Sequence, residues 1–332
     1  MLSTGNDHQL FYKAFNDWTD LNGDGSLNTT YTDTFDYYGY FDPSKCYFVN
    51  TTFNIFVPNI GTATGPNNHH CDTNAARWSG NFLNWVSMSR MDIMRKVLFG
   101  GKRGANSLAA AYIDSAAYTI LQRAYIPNDN HAWSKYHPAT DLDKYTPIDG
   151  GVHTNGVTFC NVTPYDGTHE YSEATTSSPK LRVASGKWDL WAAQEQVQCM
   201  WDAEAPLNLT TAESPDLATE GIDIGGVVGK EAEVNVEVLA CVPDRIGKES
   251  CYSYDGGTYY KPVGLLNKYG EAGLMDFGLI TGSYEKGKDG GILRKNISPF
   301  DDEINANGTW NTSTNGIIAT MNLFRISRYS YN

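Results

Sequence analysis

Six cysteines constrain what this chain can fold into more than any other feature. They stand at Cys46, Cys71, Cys160, Cys199, Cys241 and Cys251, and no two are spaced as CxxC. Zinc-ribbon, dithiol-redox and haem-attachment patterns are therefore absent. An even count without metal spacing points to disulfides made in an oxidising compartment. Sequence alone leaves the connectivity open. Closeness along the chain favours Cys46–Cys71, Cys160–Cys199 and Cys241–Cys251, the last closing only a short loop. The competing reading is buried free thiols in a reducing compartment.

The chain has 332 residues, room for one large domain or two ordinary ones. Its net charge is −13, so its surface repels phosphate backbones and anionic lipid. Nucleic acid is excluded as a natural partner on that ground, and divalent cations are the natural counter-ions. No apolar run reaches the roughly 20 residues of a membrane helix, and no signal-peptide pattern is visible at the start. The opening MLSTGNDHQLFY reads as the middle of a strand, from which we expect a longer precursor. The 21 Tyr and 32 Gly, beside abundant Asn and Thr, suit turns and half-buried strands, as in an exported surface protein.

Periodicity gives the organisation. From Arg77 to Phe99 apolar residues recur at helical spacing, and Gly100-Gly101 ends the run, predicting one long helix. SLAAAYIDSAAYTILQRAY predicts a second helix, ending before Ile126-Pro127. GKWDLWAAQEQVQCM predicts a short third, and GIIATMNLF a helix near the end. VNVEVLACV, Val234 to Val242, alternates as a strand, and LMDFGLITGSY reads as another. Residues 127–260 read largely as inserted loops and strands. Helices between apolar strands predict an α/β fold, one elaborated domain over 1–332, with α+β as the alternative.

One stretch carries chemistry. Asp20 to Asn28 reads DLNGDGSLN. Asp20, Asn22, Asp24, Ser26 and Asn28 fall at positions 1, 3, 5, 7 and 9 of a calcium loop, with Gly25 at the turning position 6. Alternate residues of a tight loop point inward, and calcium takes oxygen ligands. Position 12 is Tyr31, where an EF-hand carries a bidentate Glu. The reading is a calcium loop outside the EF-hand class, with Asp33 or a distant Asp supplying the missing carboxylate. Its ion is structural, and Asp24→Ala weakens it most. The plain alternative is an Asp/Asn/Gly turn without metal.

Other candidates are weaker. His69-His70-Cys71 offers transition-metal ligands, but no second pair lies at a usual spacing. Asp129, His131 and His137 cluster around Trp133 and are the only hint of a hydrolytic cleft. GxSxG, HExxH, Walker and GxGxxG motifs are absent. Asp301-Asp302-Glu303 reads as an acidic turn or helix cap, and the seven N-x-S/T sequons as chance in an Asn/Thr-rich chain.

Taken in order, DLNGDGSLN, DYYGYFDPSKCY, WSGNFLNWVSMSRMDIMRKVLFGGKR, RAYIPNDNHAWSKY, KYGEAGLMDFGLITGSY and GGILRKNISPFDDEIN closely resemble the N-terminal region of the PilY family. The match runs from Met1 to about Ile326, and the helix and GGILRKNISPF blocks are its specific parts. Members of that family are type IV pilus biogenesis factors and tip-associated adhesins. The resemblance implies an exported, cell-surface, non-catalytic protein that binds Ca2+. It implies minor pilins or a pilus-tip complex as partners, and host or abiotic surfaces as targets. The C-terminal β-propeller of many members has no counterpart in these residues. The resemblance also implies a von Willebrand A-like core, here degenerate. Gly5-Asn6-Asp7-His8 stands where a DxSxS motif is expected, and no DxSxS occurs anywhere. A structural filament subunit and a secreted hydrolase are the alternatives.

Overall fold

The structure is a computed structural model that describes residues 1–5, 7–65, 67–71, 78–104, 114–129, 131–164, 178–193, 198–204, 214–224, 232–282 and 290–326. In chain order its strands are β1 (Leu2–Thr4), β2 (Lys45–Asn50), β3 (Ile55–Thr62), β4 (Trp78–Ser79), β5 (Thr119–Gln122), β6 (Trp133–His137) and β7 (Val157–Val162). They continue with β8 (Lys180–Ser185), β9 (Glu233–Asn235), β10 (Glu237–Ala240), β11 (Cys251–Tyr254), β12 (Tyr259–Pro262), β13 (Phe277–Gly282) and β14 (Gly291–Ser298). The α-helices are short: α1 (Gly80–Ser87), α2 (Arg90–Phe99), α3 (Leu142–Tyr145), α4 (Leu217–Glu220) and α5 (Ile317–Asn322).

The fold is mixed α/β, with several sheets and few helices. Among the described residues the sheets run β4-β2-β3-β10-β5, β6-β7-β8-β9, β1-β13-β14 and β11-β12. Among the described strands, β1–β13 and β3–β10 are the parallel pairs. One face of the β6–β9 sheet packs Val157, Phe159, Leu181 and Val183 against Phe82 and Trp85 of α1 in the main core. Its other face is covered by Trp191 and Trp201, in a cluster with Cys160 and Cys199. A further core joins Phe11, Met91 and Phe99 to Leu279, Phe300, Ile317 and Met321.

Several predicted elements differ. The helix predicted over Arg77–Phe99 is two helices. Met88 turns extended at ψ 135°, and Ser89 caps α2 in a reciprocal box with Asp92. Trp78-Ser79 before it is strand, and residue 77 lies outside the described residues. In the predicted second helix, Thr119–Gln122 is the fully buried strand β5, paired antiparallel with β10. Long-range pairing there overrides a helical local preference; residues 107–113 lie outside the described residues. The described parts of 186–200 are turns laid over the sheet rather than a helix. The single strand predicted over Val234–Val242 divides at Val236, so that β9 joins β8 in one sheet and β10 joins β3 and β5 in another. The GIIATMNLF helix and the FGLITG strand form as α5 and β13.

Three disulfides, Cys46–Cys71, Cys160–Cys199 and Cys241–Cys251, use all six cysteines. No helix among the described residues is long and apolar enough to cross a membrane.

Candidate functional site

The Asp20–Asn28 loop is closed at its base, where Thr19 and Asn28 form an isolated antiparallel bridge. Inside it the Asp20 carboxylate accepts three backbone N–H bonds. Gly23 and Asp24 donate to Oδ1 at 2.7 and 3.1 Å, and Gly25 donates to Oδ2 at 2.8 Å. The backbone thus wraps around the position-1 carboxylate, and the left-handed Gly25 (φ 87°) makes the turn. Asp24 Oδ1 accepts from Ser26 N at 2.8 Å, and Asp24 Oδ2 from Asn22 Nδ2 at 2.8 Å. Its carboxyl titrates below the usual range, first because of the Asn22 bond and then the Ser26 N–H. Asn28 Oδ1 accepts from Leu21 N at 2.7 Å, so Asn28 also latches the loop.

The donor set is oxygen only: two carboxylates, two amides and a hydroxyl. That is the chemistry of a hard divalent cation, and Asp20 Oδ2 keeps a second lone pair beyond its one N–H partner, whereas Asp20 Oδ1 already accepts two N–H bonds. The loop itself is exposed over Asn22–Leu27. Tyr31, at position 12, is 6% exposed and stacked in the core beside Tyr37. Burial pushes its phenol far above the ordinary range, so it offers no anionic oxygen.

Asp33 is engaged elsewhere. Its Oδ2 lies 3.0 Å from His70 Nε2 and its Oδ1 3.2 Å from His69 Nδ1, while His69 Nε2 lies 3.0 Å from Asp36 Oδ1. With Cys71 in a disulfide, the His69-His70-Cys71 trio is a structural ion-pair cluster rather than a set of converging metal ligands. Burial lowers the Asp33 carboxyl's tendency to ionise, but bonds to His69 and His70 outweigh it and its pKa falls. Burial likewise works against the His69 cation, yet Asp33 and Asp36 outweigh it and its pKa rises. A raised histidine stabilises the fold fully below its unfolded value of 6.5 and loses that contribution as pH rises through the folded value. The lowered Asp33 contributes above its unfolded value of 3.8 and loses it as pH falls through the folded value. The cluster therefore contributes most in the window between the two. His69→Asn is expected to cost more stability at about pH 5.5 than at about pH 8.5, read as the difference in urea midpoints.

The segment after the loop, Phe35 to Phe41, is tied to the body by two asparagines that pattern reading missed. Asn81 and Asn84 of α1 are fully buried. Asn81 accepts from Tyr37 N at 2.8 Å and donates to Phe35 O at 2.9 Å. Asn84 accepts from Phe41 N at 3.0 Å and donates to Tyr37 O at 2.7 Å. The signal was there: both fall in the largely apolar run NFLNWV of α1, where a polar residue requires partners.

Asp129, His131 and His137 do not converge. His131 Nδ1 lies 2.6 Å from buried Asp129 Oδ1, and its Nε2 lies 3.0 Å from His8 Nδ1. His137 turns to the Pro138 carbonyl and packs among Phe82, Trp85 and Tyr145. Glu303, in the acidic turn, caps α5 by accepting from Ile317 N and Ile318 N at 2.9 and 2.8 Å.

Residues 28–184 match the family model "PilY1 homolog, small alpha/beta domain", and residues 277–332 match "PilY1 homolog, second domain". The chain belongs to the PilY1 family. Along its full length it is 34% identical to the type IV pilus biogenesis factor PilY1 homolog of Xylella fastidiosa. It spans 22% of that relative's length. No solved structure matches it. Within this PilY1-family chain the first matched region opens at Asn28, the last residue of the loop, and takes in the asparagine clamp of α1. The second holds β13, β14 and α5.

Proposed function

We propose that this chain is a non-catalytic, extracellular part of a type IV pilus-associated protein. It would act in pilus assembly or stabilisation and in surface adhesion at the pilus tip. The observation that carries the reading is similarity along the whole of this chain to part of a protein named as a type IV pilus biogenesis factor. Three disulfides support export to an oxidising compartment. Minor pilins or a tip complex are the proposed partners, and a host or abiotic surface the proposed target.

Ca2+ is the proposed cofactor, held by oxygens of Asp20, Asn22, Asp24, Ser26 and Asn28. Supplied there, it would neutralise the Asp20 and Asp24 charges and stiffen the loop. Asp20 organises the backbone, Asn28 latches the base, and Asn81 and Asn84 hold the segment that follows. Ion and cross-links together suit a body under shear. A von Willebrand A-like ancestry for the fold would rest on the parallel β1–β13 pair and the α2 block. A filament-subunit reading predicts self-assembly of the chain; a hydrolytic reading would have to use Asp129–His131, a pair already enclosed in the fold.

Fractionation tests the assignment. The protein carrying this chain is expected in pili sheared from cells and lost from that fraction when minor pilins are deleted. Recovery in the cytoplasm alone would overturn it.

A further inference from the structure

Two adjoining hollows on the outer face of the β6–β9 sheet share Tyr136, Lys187 and Trp188. Their volumes are about 710 and 500 Å³. The first is lined, among the described residues, by Tyr136, Trp188, Asn155 and Glu220. The second continues past Thr30, Asp17 and Asp189. We propose that this continuous groove binds a neutral oligosaccharide, with Tyr136 and Trp188 as its stacking platforms.

The platforms are fixed before any ligand arrives. Tyr136 pairs with Thr158 across β6–β7, and its hydroxyl donates to Asn155 O at 3.0 Å. Left-handed Gly156 permits this: a Cβ there would stand 2.5 Å from both the Tyr136 hydroxyl and the His137 carbonyl. Trp188 Nε1 donates to Ser185 O at 2.8 Å, and Trp188 N to Thr158 Oγ1 at 3.0 Å. Its half-buried ring is therefore held at its polar edge. The Cys160–Cys199 disulfide ties the segment that carries it to β7. Side chains held in this way lose little freedom on binding.

The chemistry around the rings selects the ligand. Aromatic faces take the C–H faces of pyranose rings, while amide, carboxylate and hydroxyl groups along the rim suit sugar hydroxyls. Flat, equatorial β-1,4-linked sugars present such faces on successive residues. Asp17, Asp189 and Glu220 outnumber Lys135 and Lys187 in the lining by one charge, with Asp17 paired to Lys135 and Asp189 to Lys187, and this small acidic excess disfavours uronic and sialic acids. An extended peptide is disfavoured too, because the Thr30 hydroxyl already donates to the Tyr136 carbonyl on the β6 edge. The inference stands on the groove and is independent of both the pilus and the calcium readings.

The test titrates the chain with cellotetraose and chitotetraose, with 3′-sialyllactose as the charged control, by calorimetry and tryptophan fluorescence. One or both neutral tetramers are expected to bind saturably and perturb tryptophan emission. Trp188→Ala should weaken binding about tenfold, the upper end for one aromatic contact. Asn155→Ala, at an exposed site that leaves the core untouched, should weaken it about two- to threefold with an unchanged melting curve. Failure of both tetramers to bind overturns the proposal. So does preference for the sialylated sugar, or binding by Asn155→Ala and folded Trp188→Ala that matches the parent chain.

Discussion

Arg95→Ala is expected to remove about 3–5 kcal/mol of stability by loosening the C-terminal segment. Arg95 lies on α2 and is fully buried. Its Nε and Nη2 donate to the Met321 carbonyl at 3.2 and 2.8 Å, and Nη2 donates to Phe324 O at 2.7 Å. These carbonyls lie at and just beyond the C-terminal turn of α5, where backbone acceptors lack helical partners and a cation is favoured. Truncation leaves them buried without that donor and opens a cavity against Met321 and Phe324. Arg95→Lys keeps the charge but not the planar fork, and should cost about 1–3 kcal/mol. Exposed Arg90, whose contact is a 3.5 Å approach to Gln9 O, is the control, with an expected cost of about 0.5 kcal/mol or less for Arg90→Ala. Urea unfolding of the three variants checks the order. Equal midpoints for Arg95→Ala and Arg90→Ala would show that the fork does not hold the segment.

Removing the Cys160–Cys199 bridge with paired alanines is the second large effect. Chain entropy over its separation of 39 residues gives about 4 kcal/mol, against about 3 kcal/mol for the separation of 10 in Cys241–Cys251. Both sulfurs are fully buried in the cluster with Trp191 and Trp201. The loss should therefore appear as early tryptophan exposure as well as a lower urea midpoint. The reverse ranking of the two bridges would mean that loop length does not govern their contribution.

The sequence made the local features legible and left the long-range ones hidden. The turn at DLNGDGSLN was readable because most of its hydrogen bonds are local, with the Asn22 bond to Thr34 reaching outside it. The clustered cysteine pairs were readable because closure over short separations is easily achieved. The break at Met88-Ser89 was also local: SRMD carries a capping box, but the apolar recurrence of Trp85, Val86, Met91 and Met94 masks it. Thr119–Gln122 could not be read in the same way. Its strand state comes from β10, over a hundred residues later in the chain, and the alanines before it argue for helix. Val234–Val242 alternates as one strand should, and nothing in that pattern says its halves serve different sheets. Trp188 resembled a helix residue because the groove it lines is assembled from β6, β7 and the turn after β8.

Calcium titration of the purified chain shows whether a hard cation holds the Asp20–Asn28 loop. One site with a Kd on the order of 0.1–1 mM is expected. At about twentyfold excess over Kd the ion should add about 2 kcal/mol of stability, seen as a rise of a few degrees in Tm. Asp24→Asn, which preserves the shape of the side chain but removes its charge, should abolish most of that rise. A Tm that is the same in chelator and in millimolar calcium, with no heat of binding, would mean that the loop holds no ion.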